Sequence, residues 1–256
     1  MKRNEPEKNS SHRFKLNLPE NFEFPNSAVG RRLLEEYGAL FVAQSDVIVP
    51  ETVIFKDEKE VWNWQGKVPN AKMNLGGFEI ELQTAALKKL KKAVAEAEEN
   101  NLTITPRGAD SARRNYAQTV DLWASRVNPA LIHWVKEGKL SETTADEIRA
   151  LPAFEQVPEI FRLEAEGVFF SKDLSKSIIY SVAPPGASQH LAMLALDVAE
   201  YNDALVRKIL AKHGWFQTVV SDLPHFTYLG APENELENLG LKKVANDDRI
   251  FWIPNL

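Results

Sequence analysis

The stretch that most limits how this chain can fold runs from Leu191 to Val198, LAMLALDV, an apolar run carrying a single charge near its end. A short apolar run bounded by turn residues reads as a buried strand. Asp197 is then a carboxylate in a place where burial is heavily penalised unless a partner or a metal ion compensates it. Pro184, Pro185 and Gly186 form a turn ahead of the run and deliver Ser188 and His190 at its mouth. Residues 215–220 read as a second strand leading into Asp222-Leu223-Pro224-His225. Pro224 excludes a helix interior there, so His225 falls on a turn or at a strand start.

His190, Asp197 and His225 together offer two imidazoles and one carboxylate. That set holds a tetrahedral zinc ion and leaves its fourth position open, as in a catalytic centre. Structural zinc sites are closed by four ligands, usually including cysteine, and this chain has no cysteine. Asp222, three residues before His225, is the natural base for such a centre. Any one of these residues alone is an ordinary polar side chain; the constellation carries the inference.

Ser-x-His, an aspartate seven residues after the histidine, and an acid three residues before a second histidine resemble the zinc D-alanyl-D-alanine carboxypeptidases and dipeptidases. That family includes the vancomycin-resistance peptidases and shares its fold with the Hedgehog signalling domain. Its pattern is S-x-H-x-x-G-x-A-x-D followed later by E-x-W-H. Ser188, His190, Ala195, Asp197 and His225 match; Met193 stands for the glycine, Pro224 for the tryptophan and Asp222 for the catalytic glutamate. The resemblance covers residues 75 to about 230. It implies that His190, Asp197 and His225 bind zinc, that Asp222 is the general base, and that the substrate is a peptidoglycan-derived peptide ending in D-alanine. The shorter Asp222 draws the carboxylate back, and a misplacement on the order of 1 Å costs about 100-fold in rate. The family also carries a substrate-binding arginine in an S-G-Y-R-S-Y-like stretch, here Ser111-Ala112-Arg113-Arg114-Asn115-Tyr116. Matching the serine and tyrosine selects Arg114; matching Gln118 selects Arg113, which otherwise reads as helix surface. Either guanidinium suits a carboxylate bidentately, Arg107 is a third candidate, and Ser188 is assigned to the substrate side. The implied fold is α+β, a mostly antiparallel sheet with packed helices. The rival to a peptidase is a catalytically weak or inactive zinc-binding domain that recognises a cell-wall or protein ligand.

The net charge of −5 disfavours a nucleic-acid partner, which would call for a basic face. The chain lacks an apolar stretch of about 18 residues, so no membrane span is expected. Its start, MKRNEPEKNSSHRF, has no apolar signal core. The expected location is therefore cytoplasmic, or periplasmic or secreted if a leader has been removed.

Three regions are expected: a disordered tail over 1–13, an extension over 14–74 packed on the core, and a zinc peptidase-like domain over 75–256. Asn26 or Ser27 caps a helix with Val29, Leu33 and Tyr37 inward and Gly38 at its end. Residues 39–43 and 47–55 read as extended, and Trp62 and Trp64 as core. The clearest helix spans 79–99, with Leu82, Ala86, Leu90, Val94 and Ala97 on one face, followed by a strand over 102–105. Further helices are expected over 116–126, from an Asn128 cap with Pro129 first, from a Thr144/Glu147 capping box, and over 157–166. The passage 128–167 is read as a helical insertion restricting what enters the cleft. A strand over 178–182, a helix over 202–213 and a last strand over 250–253 covering the sheet edge complete the chain. His133 and His213 are assigned structural roles, His213 because a cation suits a helix end.

Overall fold

The computed structural model describes residues 13–44 and 46–256. The expected disordered tail lies outside the described residues, except that Arg13 is helical. Two compact units emerge: residues up to Val53 with Trp64–Arg114 and Gln189–Leu256, and Ile54–Asn63 with Asn115–Ser188.

In chain order, α1 (Ala28–Tyr37) starts as expected, with the Ser27 hydroxyl accepting from the Gly30 amide at 3.0 Å. Residues Gly38–Val42 form a buried 3-10 turn and not an extended segment. In so short an apolar run, burial does not distinguish strand from helix. No strand forms over 47–55. On α2 (Glu58–Gln65), Trp62 is 72% exposed, so the expectation that it is core fails, and Trp64 is half-buried.

Strands β1 (Asn70–Leu75) and β2 (Phe78–Gln83) make an antiparallel hairpin. Gly76 and Gly77 turn it with φ of 57° and 85°, the positive values a two-residue hairpin loop requires. The expected helix over 79–99 is therefore two elements, because Ile80 and Leu82 follow a two-residue repeat and belong to β2. Helix α3 (Thr84–Glu99) follows and buries Ala86, Leu87, Leu90, Ala93 and Ala97. The strand expected over 102–105 does not form; Pro106 instead bridges to Val198.

In the second unit, α4 (Tyr116–Lys136) runs unbroken through Pro129, where a break was expected. An interior proline costs about 3 kcal/mol. Buried Trp123, Val127, Ala130, Leu131 and Trp134 on the same helix outweigh it. The cap of α5 (Glu142–Ala150) is Ser141, accepting from the Thr144 amide, and not Thr144 itself. Helix α6 (Ala153–Ala165) ends before Gly167 and supplies Glu164, whose buried carboxylate accepts from the Ser177 hydroxyl and the Ile178 amide. Ile178–Tyr180 is a 3-10 turn, not a strand.

Back in the first unit, β3 (Ala195–Asp197), α7 (Ala204–Lys212, capped by Asp203), β4 (Trp215–Gln217) and β5 (His225–Tyr228) follow. The three strands form an antiparallel sheet in the order β3-β5-β4. Among the described residues, strands β6 (Leu241–Asn246) and β7 (Arg249–Pro254) pair only with each other, so the last strand does not extend that sheet's edge. The architecture is thus α+β with antiparallel pairing, divided among three small sheets within the described residues. Among the described residues no helix is long and apolar enough to cross a membrane.

The turn before the site depends on Gly186. Its φ is 83°, and a Cβ built there would lie 1.9 Å from the Phe55 carbonyl oxygen. Gly77 has a similar φ, 85°, with nothing near its missing side chain. Gly77→Ala should therefore cost about 1 kcal/mol, from backbone conformation alone. Gly186→Ala should cost several times more, or abolish folding, when the two are compared by urea denaturation; equal costs would contradict the close approach.

Candidate metal centre

The pairing of β3 with β5 sets Asp197 directly opposite His225. His190 comes from the 3-10 turn Gln189–Ala192, which joins β3 through Met193. Met193 has a φ of 54°, a left-handed conformation that costs a side-chain-bearing residue about 1–2 kcal/mol. It is also fully buried, which offsets that cost. This reversal explains why the expected strand over 191–198 is shorter than its apolar run. Met193 is also the position at which the resembling family carries glycine, the residue that adopts such a φ most readily.

His190 is buried, and its Nδ1 lies 2.7 Å from the carbonyl oxygen of Ala112. A carbonyl only accepts, so Nδ1 carries the proton. Burial, followed by the charge of Arg114, lowers the pKa of His190 and keeps the ring neutral. Its Nε2 is therefore a lone pair. It sits 3.3 Å from Asp197 Oδ1 and makes no hydrogen bond among the described residues. His225 Nε2 donates to Gln189 Oε1 at 2.8 Å, and in the tautomer with its proton there the Nδ1 lone pair faces the same Oδ1 at 3.2 Å. Asp197 is held well below its ordinary range against the pull of burial, and the Arg114 guanidinium pairs with its Oδ2 at 2.8 Å.

Three electron-rich atoms thus converge with no proton required between them, all within 4.8 Å of one another. Such a group repels itself in a buried setting unless a cation lies among the three. Around an ion with bonds of about 2.0–2.1 Å, the edge of a coordination tetrahedron is about 3.3 Å. Two of the three separations, 3.2 and 3.3 Å, match that edge, and the third lies within 4.8 Å. His190, Asp197 and His225 could therefore hold a metal ion.

Arg114 belongs to this group. Its guanidinium donates to Asp197 Oδ2 at 2.8 Å and to the Asp110 carbonyl at 3.0 Å, and its amide donates to the His190 carbonyl. Arg113 is engaged elsewhere, its Nη1 donating to both carboxylate oxygens of Glu81 at 2.8 Å and its Nε to Gln65 Oε1 at 2.9 Å. Arg107 is exposed; its amide donates to the Asp197 carbonyl, and its guanidinium lies over the Tyr201 ring. Asp222 is exposed on the turn before β5 and is not part of the converging group. Its backbone carbonyl accepts from the His225 amide at 3.1 Å. Ser188 is buried and is the last residue of the second unit. His133 packs against Trp134, and His213 lies 2.9 Å from Glu96.

Two partners of the histidines were not legible in the sequence. The Ala112 carbonyl is a backbone group and leaves no sequence signal. Gln189 does leave one, an amide ahead of an apolar run, and it becomes informative only once its contacts are known. If the centre holds a metal, zinc at about 100 times its Kd should raise unfolding free energy by about 2.7 kcal/mol. His190→Ala, Asp197→Ala and His225→Ala should each remove that gain in denaturation melts. A gain that survives all three would contradict the assignment.

The chain matches no family model, no curated protein and no solved structure.

Proposed function

We propose that the protein is a zinc-dependent peptidase acting on cell-wall peptides, of the D-alanyl-D-alanine carboxypeptidase type. The observation that carries this reading is the convergence of two imidazole lone pairs and one carboxylate oxygen. A nitrogen-rich set with one carboxylate suits zinc better than magnesium or calcium, which favour oxygen ligands. The left-handed backbone at Met193, where the pattern carries glycine, adds support for the resemblance and for its Hedgehog-like fold.

Zinc held by His190, Asp197 and His225 would supply Lewis acidity at its open position. The Ala112 carbonyl and Gln189 hold the two rings in the tautomers that face Asp197. Arg114 places a positive charge beside Asp197, suited to receiving the carboxylate of a peptide terminus. Arg113, already paired with Glu81, shapes the surroundings of β2 and has no role toward substrate in this reading. Asp222 would take a proton from water and return it to the leaving amine. Its backbone carbonyl accepts from the His225 amide, which ties its turn to a candidate ligand.

A second reading rests on that same aspartate. Its side chain is exposed and one methylene shorter than glutamate, which favours a weak or inactive zinc-binding domain that recognises a cell-wall ligand. Hydrolysis of muropeptides, followed with and without chelator, separates the two. Under the peptidase reading the wild type turns over, and Asp222→Ala loses about 100-fold or more in kcat while retaining its metal. A metal-loaded wild type that binds muropeptides without cleaving them would support the second reading and end the first.

A further inference from the structure

Gln189 lies between the segment that precedes the core and the histidine that closes the candidate centre. Its amide nitrogen donates to the carbonyl of Tyr37, the last residue of α1, at 2.8 Å. A carbonyl cannot donate, so this contact fixes which end of the amide faces which way. The amide oxygen Oε1 therefore points into the sheet. There it accepts from the Thr227 hydroxyl and from His225 Nε2, the latter at 2.8 Å, with Thr218 Oγ1 at 3.3 Å. Gln189 is 1% exposed and His225 is 4% exposed, so water is a poor substitute for any of these partners.

We propose that Gln189 is the positioning residue that sets metal affinity, by committing His225 to the tautomer whose Nδ1 lone pair faces Asp197. The reach of this device extends to α1. The Tyr37 carbonyl orients the amide, the amide oxygen holds the proton on Nε2, and Nδ1 is left to coordinate. The N-terminal segment thus becomes a component of the centre and not merely a cover for the core. An outer partner of this kind typically contributes 10–100-fold to metal affinity.

The inference rests on the metal reading above, and the test separates the two. Zinc affinity of the full chain is measured by chelator competition for the wild type, His190→Ala, Gln189→Glu, Gln189→Met and Gln189→Asn. A glutamate protonated by burial donates from one oxygen to the Tyr37 carbonyl and accepts from Nε2 at the other, so Gln189→Glu should stay within about threefold of the wild type. Methionine offers no acceptor of this strength, and asparagine is too short to reach; each should lose about 10–100-fold. Unfolding midpoints of the metal-free forms check for general damage, and Gln189→Asn serves if the methionine variant does not fold. The visible spectrum of the cobalt-loaded forms should change for methionine and asparagine but not for glutamate. Wild-type affinity in Gln189→Met or Gln189→Asn would overturn the inference, as would an equal loss in Gln189→Glu. A wild type that binds zinc no better than His190→Ala would overturn the metal reading and this inference with it.

Discussion

A carboxylate oxygen flanked by two imidazole nitrogens, each with its proton held on the far side of its ring, is a cluster of negative potential inside an apolar sheet. Asp197 is in that position. The Ala112 carbonyl and the Gln189 amide oxygen keep the protons away, and Arg114 occupies only the other carboxylate oxygen. The space bounded by Nε2 of His190, Nδ1 of His225 and Oδ1 of Asp197 therefore calls for positive charge. The register of β3 on β5, the left-handed step at Met193 and the turn that presents His190 all serve to hold these three atoms together.

That requirement orders the first unit. The Asp197 amide donates to the Ser111 carbonyl, so the segment carrying Arg113 and Arg114 is fastened to the strand that ends in the aspartate. Gln83, at the end of β2, donates its side-chain amide to the Ala192 carbonyl and its backbone amide to the Met193 carbonyl. Gln65 likewise donates to the carbonyls of Leu191 and Arg114. Two buried glutamines thus satisfy the carbonyls of Leu191, Ala192 and Met193 in the irregular backbone between His190 and β3. An unsatisfied buried carbonyl costs about 1–3 kcal/mol. These amides therefore stabilise the loop that delivers the candidate ligand.

Much of the centre was legible because its signal is local. A lone aspartate closing an apolar run, with histidines at fixed distances on either side, needs no long-range knowledge. The helix starting at Ser27 and the strand start at His225 were readable for the same reason, a cap residue in one case and a proline in the other. What escaped depends on context. Residues 79–83 continue the apolar spacing of α3, yet the glycine pair before them commits them to a hairpin. Pro129 reads as a helix start, but buried aromatic side chains on both sides carry α4 through it. Residues 39–43 and 178–182 are short apolar runs for which strand and 3-10 turn bury equally well. The partners of the two histidines are a backbone carbonyl, which leaves no pattern in a single sequence, and a glutamine anchored more than a hundred residues away, which becomes informative only once its contacts are known.

The central claim is that His190, Asp197 and His225 share one ion. X-ray absorption at the zinc edge of metal-loaded, desalted protein tests it most directly. The account predicts one tightly held zinc, nitrogen and oxygen neighbours at about 2.0–2.1 Å, and outer-shell scattering from two imidazoles. Zinc lost on desalting, or a coordination shell without imidazole scattering, would contradict it.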